Sequence, residues 1–83
     1  MKEKLLQFTE LLENNNYILT TDEIESFFNG TTKHVKNLGN HKRIWIYEDY
    51  NTRAMAYITI QYNPYSDAVL VLDVDIFSLQ PTL

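Results

Sequence analysis

The sequence predicts an α+β two-layer domain, with two N-terminal helices packed on one face of a three-stranded antiparallel meander sheet in the order α-α-β-β-β. Three observations carry this. Residues 41–49, 53–62 and 68–77 alternate with a period of two, the pattern of strands with two unlike faces. Residues 2–14 and 21–29 instead place apolar side chains at helical spacing. At 83 residues without a cysteine, the chain has room for one packed core and no staple, so residues 1–83 read as a single domain.

In the first helix Leu5, Phe8, Leu11 and Leu12 share a stripe, with Lys2, Glu3, Lys4, Glu10 and Glu13 around the other side. Asn14, Asn15 and Asn16 end it, because asparagine bonds to its own backbone and tolerates the left-handed conformation. Tyr17, Ile18 and Leu19 read as a short apolar connector. Thr20 or Thr21, followed by Asp22, Glu23 and Glu25, is a start signal: a hydroxyl to cap, then carboxylates in the positive first turn. Ile24, Phe27 and Phe28 form the buried stripe of this second helix, and Asn29-Gly30 stops it. Residues 30–40 are ambiguous; Thr31 or Thr32 could cap a further helical turn through Lys33, Val35, Lys36 and Leu38 before Gly39-Asn40 breaks the chain.

Turn chemistry suggests the strand registers. A three-residue loop at Tyr50, Asn51 and Thr52 sets Asp49 opposite Arg53, Tyr47 opposite Met55 and Trp45 opposite Tyr57. A five-residue turn from Asn63 to Asp67 sets Ile60 opposite Leu70, Tyr57 opposite Asp73 and Met55 opposite Asp75. Both place Ile44, Ile46, Ala54, Ala56, Ile58, Ile60, Tyr62, Leu70, Leu72, Val74 and Ile76 on the buried face. The opposite face then carries Trp45, Tyr47, Met55, Tyr57, Val71, Asp73 and Asp75, and two short helices leave it uncovered. The tail from Ser78 to Leu83, with Pro81, is expected to leave the sheet, where it could cover part of that face.

The net charge of −4 disfavours a general nucleic-acid or anionic-membrane binder. The charge is uneven, however. No carboxylate lies between Glu25 and Glu48, a window holding Lys33, His34, Lys36, His41, Lys42 and Arg43. The start has no signal-peptide pattern and no stretch is long enough to span a membrane, so the expected location is cytoplasmic. Asn, Tyr, Ile and Lys are frequent and glycine scarce, as in AT-rich bacterial or phage genomes.

Two functions fit these residues. In the first, Trp45, Tyr47, Met55 and Tyr57, of types enriched at interface centres, bind another protein, with Asp73 and Asp75 attracting a basic surface. The partner could be a basic nucleic-acid enzyme, and a homodimer would use the same face. In size and charge the chain resembles phage-encoded inhibitors of host enzymes, including anti-CRISPR proteins and DNA mimics; no motif carries residues over from them. In the second, residues 21–38 resemble a helix-turn-helix, with Ile24, Asn29-Gly30 and Val35 in the apolar and turn positions and a winged-helix hairpin following. That resemblance implies a DNA-binding regulator whose Lys33, Lys36, Lys42 and Arg43 meet phosphates. Glu25 stands where the motif takes a small residue.

No catalytic pattern, cofactor or metal site is expected. The two histidines, His34 and His41, are seven apart with no spacing that joins them, and no serine lies in a nucleophile elbow. Asp73 and Asp75 are the one carboxylate pair on a strand face, and Arg53 is expected near enough to neutralise Asp75.

Overall fold

The structure, a computed structural model, describes residues 2–51 and 53–78, without the side chains of Lys2, Phe77 and Ser78. Helices α1 (Lys2–Asn14) and α2 (Thr21–Phe27) alternate at first with strands: β1 (Ile18–Thr20) lies between them, then β2 (Thr32–Gly39), β3 (Lys42–Asp49), β4 (Ala54–Tyr62) and β5 (Ala68–Ser78) follow. All five strands form one antiparallel sheet in the order β1-β5-β4-β3-β2. The α+β class and both helices match expectation, and the sheet has two strands more than the three expected.

The extra strands come from segments with little apolar alternation. Asn16 and Tyr17 take positive φ (56° and 63°), turning the chain so that Ile18, Leu19 and Thr20 pair with Leu70, Val69 and Ala68. The expected connector is therefore an edge strand. Thr20 then caps α2 with a full capping box: its hydroxyl accepts from the Glu23 backbone N–H at 3.1 Å, and its own N–H donates to the Glu23 carboxylate at 2.9 Å. The Thr20 N–H, and after it the hydroxyl, hold the Glu23 carboxyl below the usual carboxylate range. Its contribution is present above the ordinary carboxylate pKa and is lost as the pH falls through the lowered value.

Residues 32–39, expected as an ambiguous helical turn, are strand β2, so the helix-turn-helix does not form. Backbone pairing overrides the sequence's weak helical spacing here. Asn40 and His41 both have positive φ (52° and 60°), the signature of a type I′ hairpin turn. The Asn37 side chain accepts from the Gly39 N–H at 3.0 Å and closes a bulge at Leu38. The hairpin sets Lys36 against Ile44 and His34 against Ile46.

The register between β3 and β4 also departs from expectation, by one residue. Asp49 pairs with Ala54, leaving four residues in the loop, of which Asn51 donates its N–H to the Asp49 carboxylate at 2.9 Å and Arg53 has φ 59°. A slip of one moves every side chain of a strand to the other face. Trp45 now pairs with Ile58 and Tyr47 with Ala56, so both face the helices at 6% and 2% exposure, while Ile44 and Ile46 turn outward. Burial explains the outcome: two aromatic side chains bury more area than two isoleucines, and small Ala54 and Ala56 on β4 leave them the volume. Tyr47 fills that space stacked on Phe28, ring centroids 4.6 Å apart at 11°.

Between β4 and β5 a bulge at Leu72 divides two registers. Near the turn Ile60 pairs with Val71, so Val69 and Val71 are buried, and Leu70 and Leu72, expected inside, are exposed. Past the bulge Thr59 pairs with Asp73 and Tyr57 with Asp75, two residues from the expected partners and so on the same face. The core joins Phe8 and Leu12 of α1, Leu19 of β1, and Ile24 of α2 with Phe28 to Trp45, Tyr47, Ala56, Ile58, Ile60, Val69 and Val71. Among the described residues no helix is long and apolar enough to cross a membrane. Ser78 still pairs with Ala54; the rest of the expected tail, 79–83, lies outside the described residues.

The registers make a direct prediction. Trp45 fluorescence should be blue-shifted in the folded protein and resist a polar quencher until denaturant unfolds the chain. Emission quenched as readily in the native as in the unfolded state would return Trp45 to the outer face.

Candidate functional site

Both helices cover one side of the sheet, so the residues that line the other side constitute the candidate site. Strand pairing arranges them in rows across β2, β3, β4 and β5. One row reads Lys36, Ile44, Thr59, Asp73; the next reads His34, Ile46, Tyr57, Asp75; a third contains Thr32, Glu48 and Met55. Ile44, Ile46, Met55 and Tyr57 are half-buried, while His34, Lys36, Asp73 and Asp75 are exposed. None of the four central residues belongs to the buried core. At the β1 border Ile18 and Leu70, at 51% and 39% exposure and paired with each other, extend the apolar surface. Ile18 and Leu70 also line a shallow depression of about 340 Å³ with Gln61 and Tyr62.

Of the residues expected to bind a partner, Met55, Tyr57, Asp73 and Asp75 lie together on this face. Trp45 and Tyr47 do not: they are core residues on the far side, with Val71. Their places are taken by Ile44 and Ile46, expected on the buried face. The type I′ turn at Asn40-His41 and a four-residue β3–β4 loop are the local features that would have revealed this parity.

The four basic residues expected to meet DNA phosphates are divided between the faces. Lys36 and Lys42 point outward by strand parity. Lys33 points inward, with Nζ 2.7 Å from Glu25 Oε1 and 4.1 Å from the Trp45 ring centroid. Arg43 lies over the Tyr62 ring, 4.2 Å from its centroid, and donates to the Tyr62 hydroxyl at 3.4 Å. Two of the four are thus engaged in covering aromatic side chains. The four do not line up as one stripe.

Electrically the open face has two borders. On β2, Lys36 is exposed, and His34 sits with Nε2 3.6 Å from Glu48 Oε1. On β5, Asp73 and Asp75 are exposed, opposite Thr59 and Tyr57. Arg53, expected to neutralise Asp75, lies in the β3–β4 loop, and no ion pair joins them. Both carboxylates are exposed to solvent. Among the described residues no three His, Asp or Glu side chains converge as metal ligands. What the face offers is apolar area framed by opposite charges. No family model, curated protein or solved structure matches this chain.

Behind the face, Tyr47 marks a point of tension. Its hydroxyl is buried with no hydrogen-bond partner among the described residues. Burial, and secondarily the Glu25 carboxylate, push its pKa well above the ordinary phenol value. Because the folded state resists ionising this phenol, stability at neutral pH is untouched by the shift and falls as the pH rises from the unfolded value near 10 toward the raised folded one. Tyr47→Phe should raise stability at neutral pH by about 1 kcal/mol, by removing an unpaired buried hydroxyl. In urea titrations it should also lose less stability than the parent above about pH 10. A destabilised variant with unchanged alkaline sensitivity would mean that the hydroxyl has a bonding partner.

Proposed function

We propose that this protein is a non-catalytic protein-binding module that docks on a protein surface through the open face of its sheet. One observation supports the reading: four half-buried apolar or aromatic side chains, Ile44, Ile46, Met55 and Tyr57, occupy the centre of a sheet face over which neither helix packs. An apolar patch rimmed by polar and charged residues is the usual anatomy of an interaction site. Tyr and Met adapt well to a partner, and the β-sheet backbone holds them rigidly, which lowers the entropy lost on binding. Any modulation of the partner would follow from occupying its surface. Mimicry of a nucleic-acid backbone has less support, because a mimic needs an extended array of negative charge and here Lys36 faces Asp73 across the same row.

The reading is tested by placing a photoreactive benzoylphenylalanine at Tyr57 on the face, or at Glu10 on the exposed side of α1 as a control. Irradiated both as the pure protein and in bacterial lysate, the Tyr57 variant should give discrete protein adducts that the Glu10 variant lacks. Equal or absent adducts at the two positions would overturn it.

A further inference from the structure

The charges on the open face are ordered in a way that matches one partner above others: a second copy of this chain. Across the row Lys36, Ile44, Thr59, Asp73, the cation is on β2 and the carboxylate on β5, separated by three strand spacings, about 14 Å. That exceeds the screening length at physiological salt, roughly 8 Å, so neither charge does much for the other within one molecule. Among the described residues Lys36, Asp73 and Asp75 have no ion-pair partner. In the neighbouring row His34, with Nε2 3.6 Å from Glu48 Oε1, stands on the β2 side and Asp75 on the β5 side.

A surface with a positive border, an apolar centre and a negative border is complementary to itself under a two-fold rotation. If the axis runs parallel to the strands between β3 and β4, the rotation carries β2 onto the partner's β5 and leaves position along the strands unchanged. Lys36 then lies over Asp73 of the other copy and His34 over Asp75, twice each, while Ile44 and Ile46 meet Thr59 and Tyr57. Sheets packed face to face lie about 10 Å apart, a gap that a lysine and an aspartate side chain together bridge. Their usual angle near 30° displaces the row ends by about 4 Å, within reach of a flexible lysine. Pairing through the free edge of β2 has no such complementarity, since it would bring the Lys33, His34 and Lys36 positions of two copies together.

We infer that the protein forms a symmetric face-to-face homodimer in which the Lys36 border of each copy meets the Asp73 border of the other. This rests on the protein-binding reading of the face and specifies its occupant. Four strands, each about eight residues long, offer roughly 500 Å² in projection, at the small end of specific interfaces, so the dimer should dissociate in the micromolar range.

Analytical ultracentrifugation from about 1 to 500 µM measures the association, and charge reversal tests the geometry. Lys36→Asp and Asp73→Lys should each weaken self-association roughly ten-fold or more, because each sets two pairs of like charges face to face. The two variants mixed in equal amounts should form a mixed dimer with near-parental affinity, since both contacts become attractive again. So should the double variant K36D/D73K. Recovery on mixing separates lost complementarity from lost folding, because a misfolded variant has nothing to restore. A parent that stays monomeric throughout, or a dimer indifferent to both reversals and to mixing, overturns the inference. In either case Tyr57 adducts to a different protein would leave the protein-binding reading standing, and the lack of any face-specific adduct would remove both.

Discussion

Pairing of Tyr47 with Ala56 is the constraint on which the rest of the structure depends. It is a pairing of a large side chain with a small one. Ala56 makes a hollow on the inner face, Tyr47 crosses toward it, and Phe28, just beyond α2, stacks on the ring. Phe8 and Phe27 close around Phe28 at 5.2 and 5.1 Å, so one aromatic cluster joins α1, α2 and the sheet. Edge and stacked ring contacts add to the area that these side chains bury. Because strand parity is all or none, placing Tyr47 inside also places Trp45 inside and puts Ile44, Ile46 and Glu48 outside.

The inner face extracts a polar cost that the chain meets locally. Lys33 lies over Trp45 and Arg43 over Tyr62, and each covers its ring with an apolar stem and a cationic head. Glu25 on α2 fixes Lys33 in turn at 2.7 Å. Residues that look in the sequence like a basic patch are, in the fold, divided between sealing the core and bordering the opposite face. Tyr47 is the point where this accommodation is incomplete, since its hydroxyl has no partner among the described residues.

On the outer face the same parity acts differently. Whereas inside it gathers side chains into one cluster, outside it spreads charges to opposite borders, with isoleucine, methionine and tyrosine between them. Charges so far apart contribute little within a monomer, and exposed isoleucine contributes less than it would buried. Neither arrangement improves the stability of the single chain. Both become favourable where a complementary surface removes the face from water, which is the ground of the proposed binding role.

The sequence by itself determined the α+β class, the first helix with its asparagine stop, the threonine cap of the second, the β3, β4 and β5 runs, and the shared face of Met55, Tyr57, Asp73 and Asp75. These features rest on interactions within a few residues or on an alternation that survives a shift of two positions. Tertiary structure alone decided the β3 parity, the two edge strands and the exposure of Leu70 and Leu72. Trp45 and Ile44 both belong to types that suit a core, so alternation cannot say which goes inside; the volume left by Ala54 and Ala56 and the ring of Phe28 can. Strand β2 has too little apolar contrast to announce itself, and it exists because β3 offers a free row of backbone hydrogen-bonding groups that a two-residue turn brings within reach. Even the bulge at Leu72 shows the same limit, since one added residue, whose local signal is nil, inverts the side-chain parity at one end of a strand and leaves the other end as the pattern predicts.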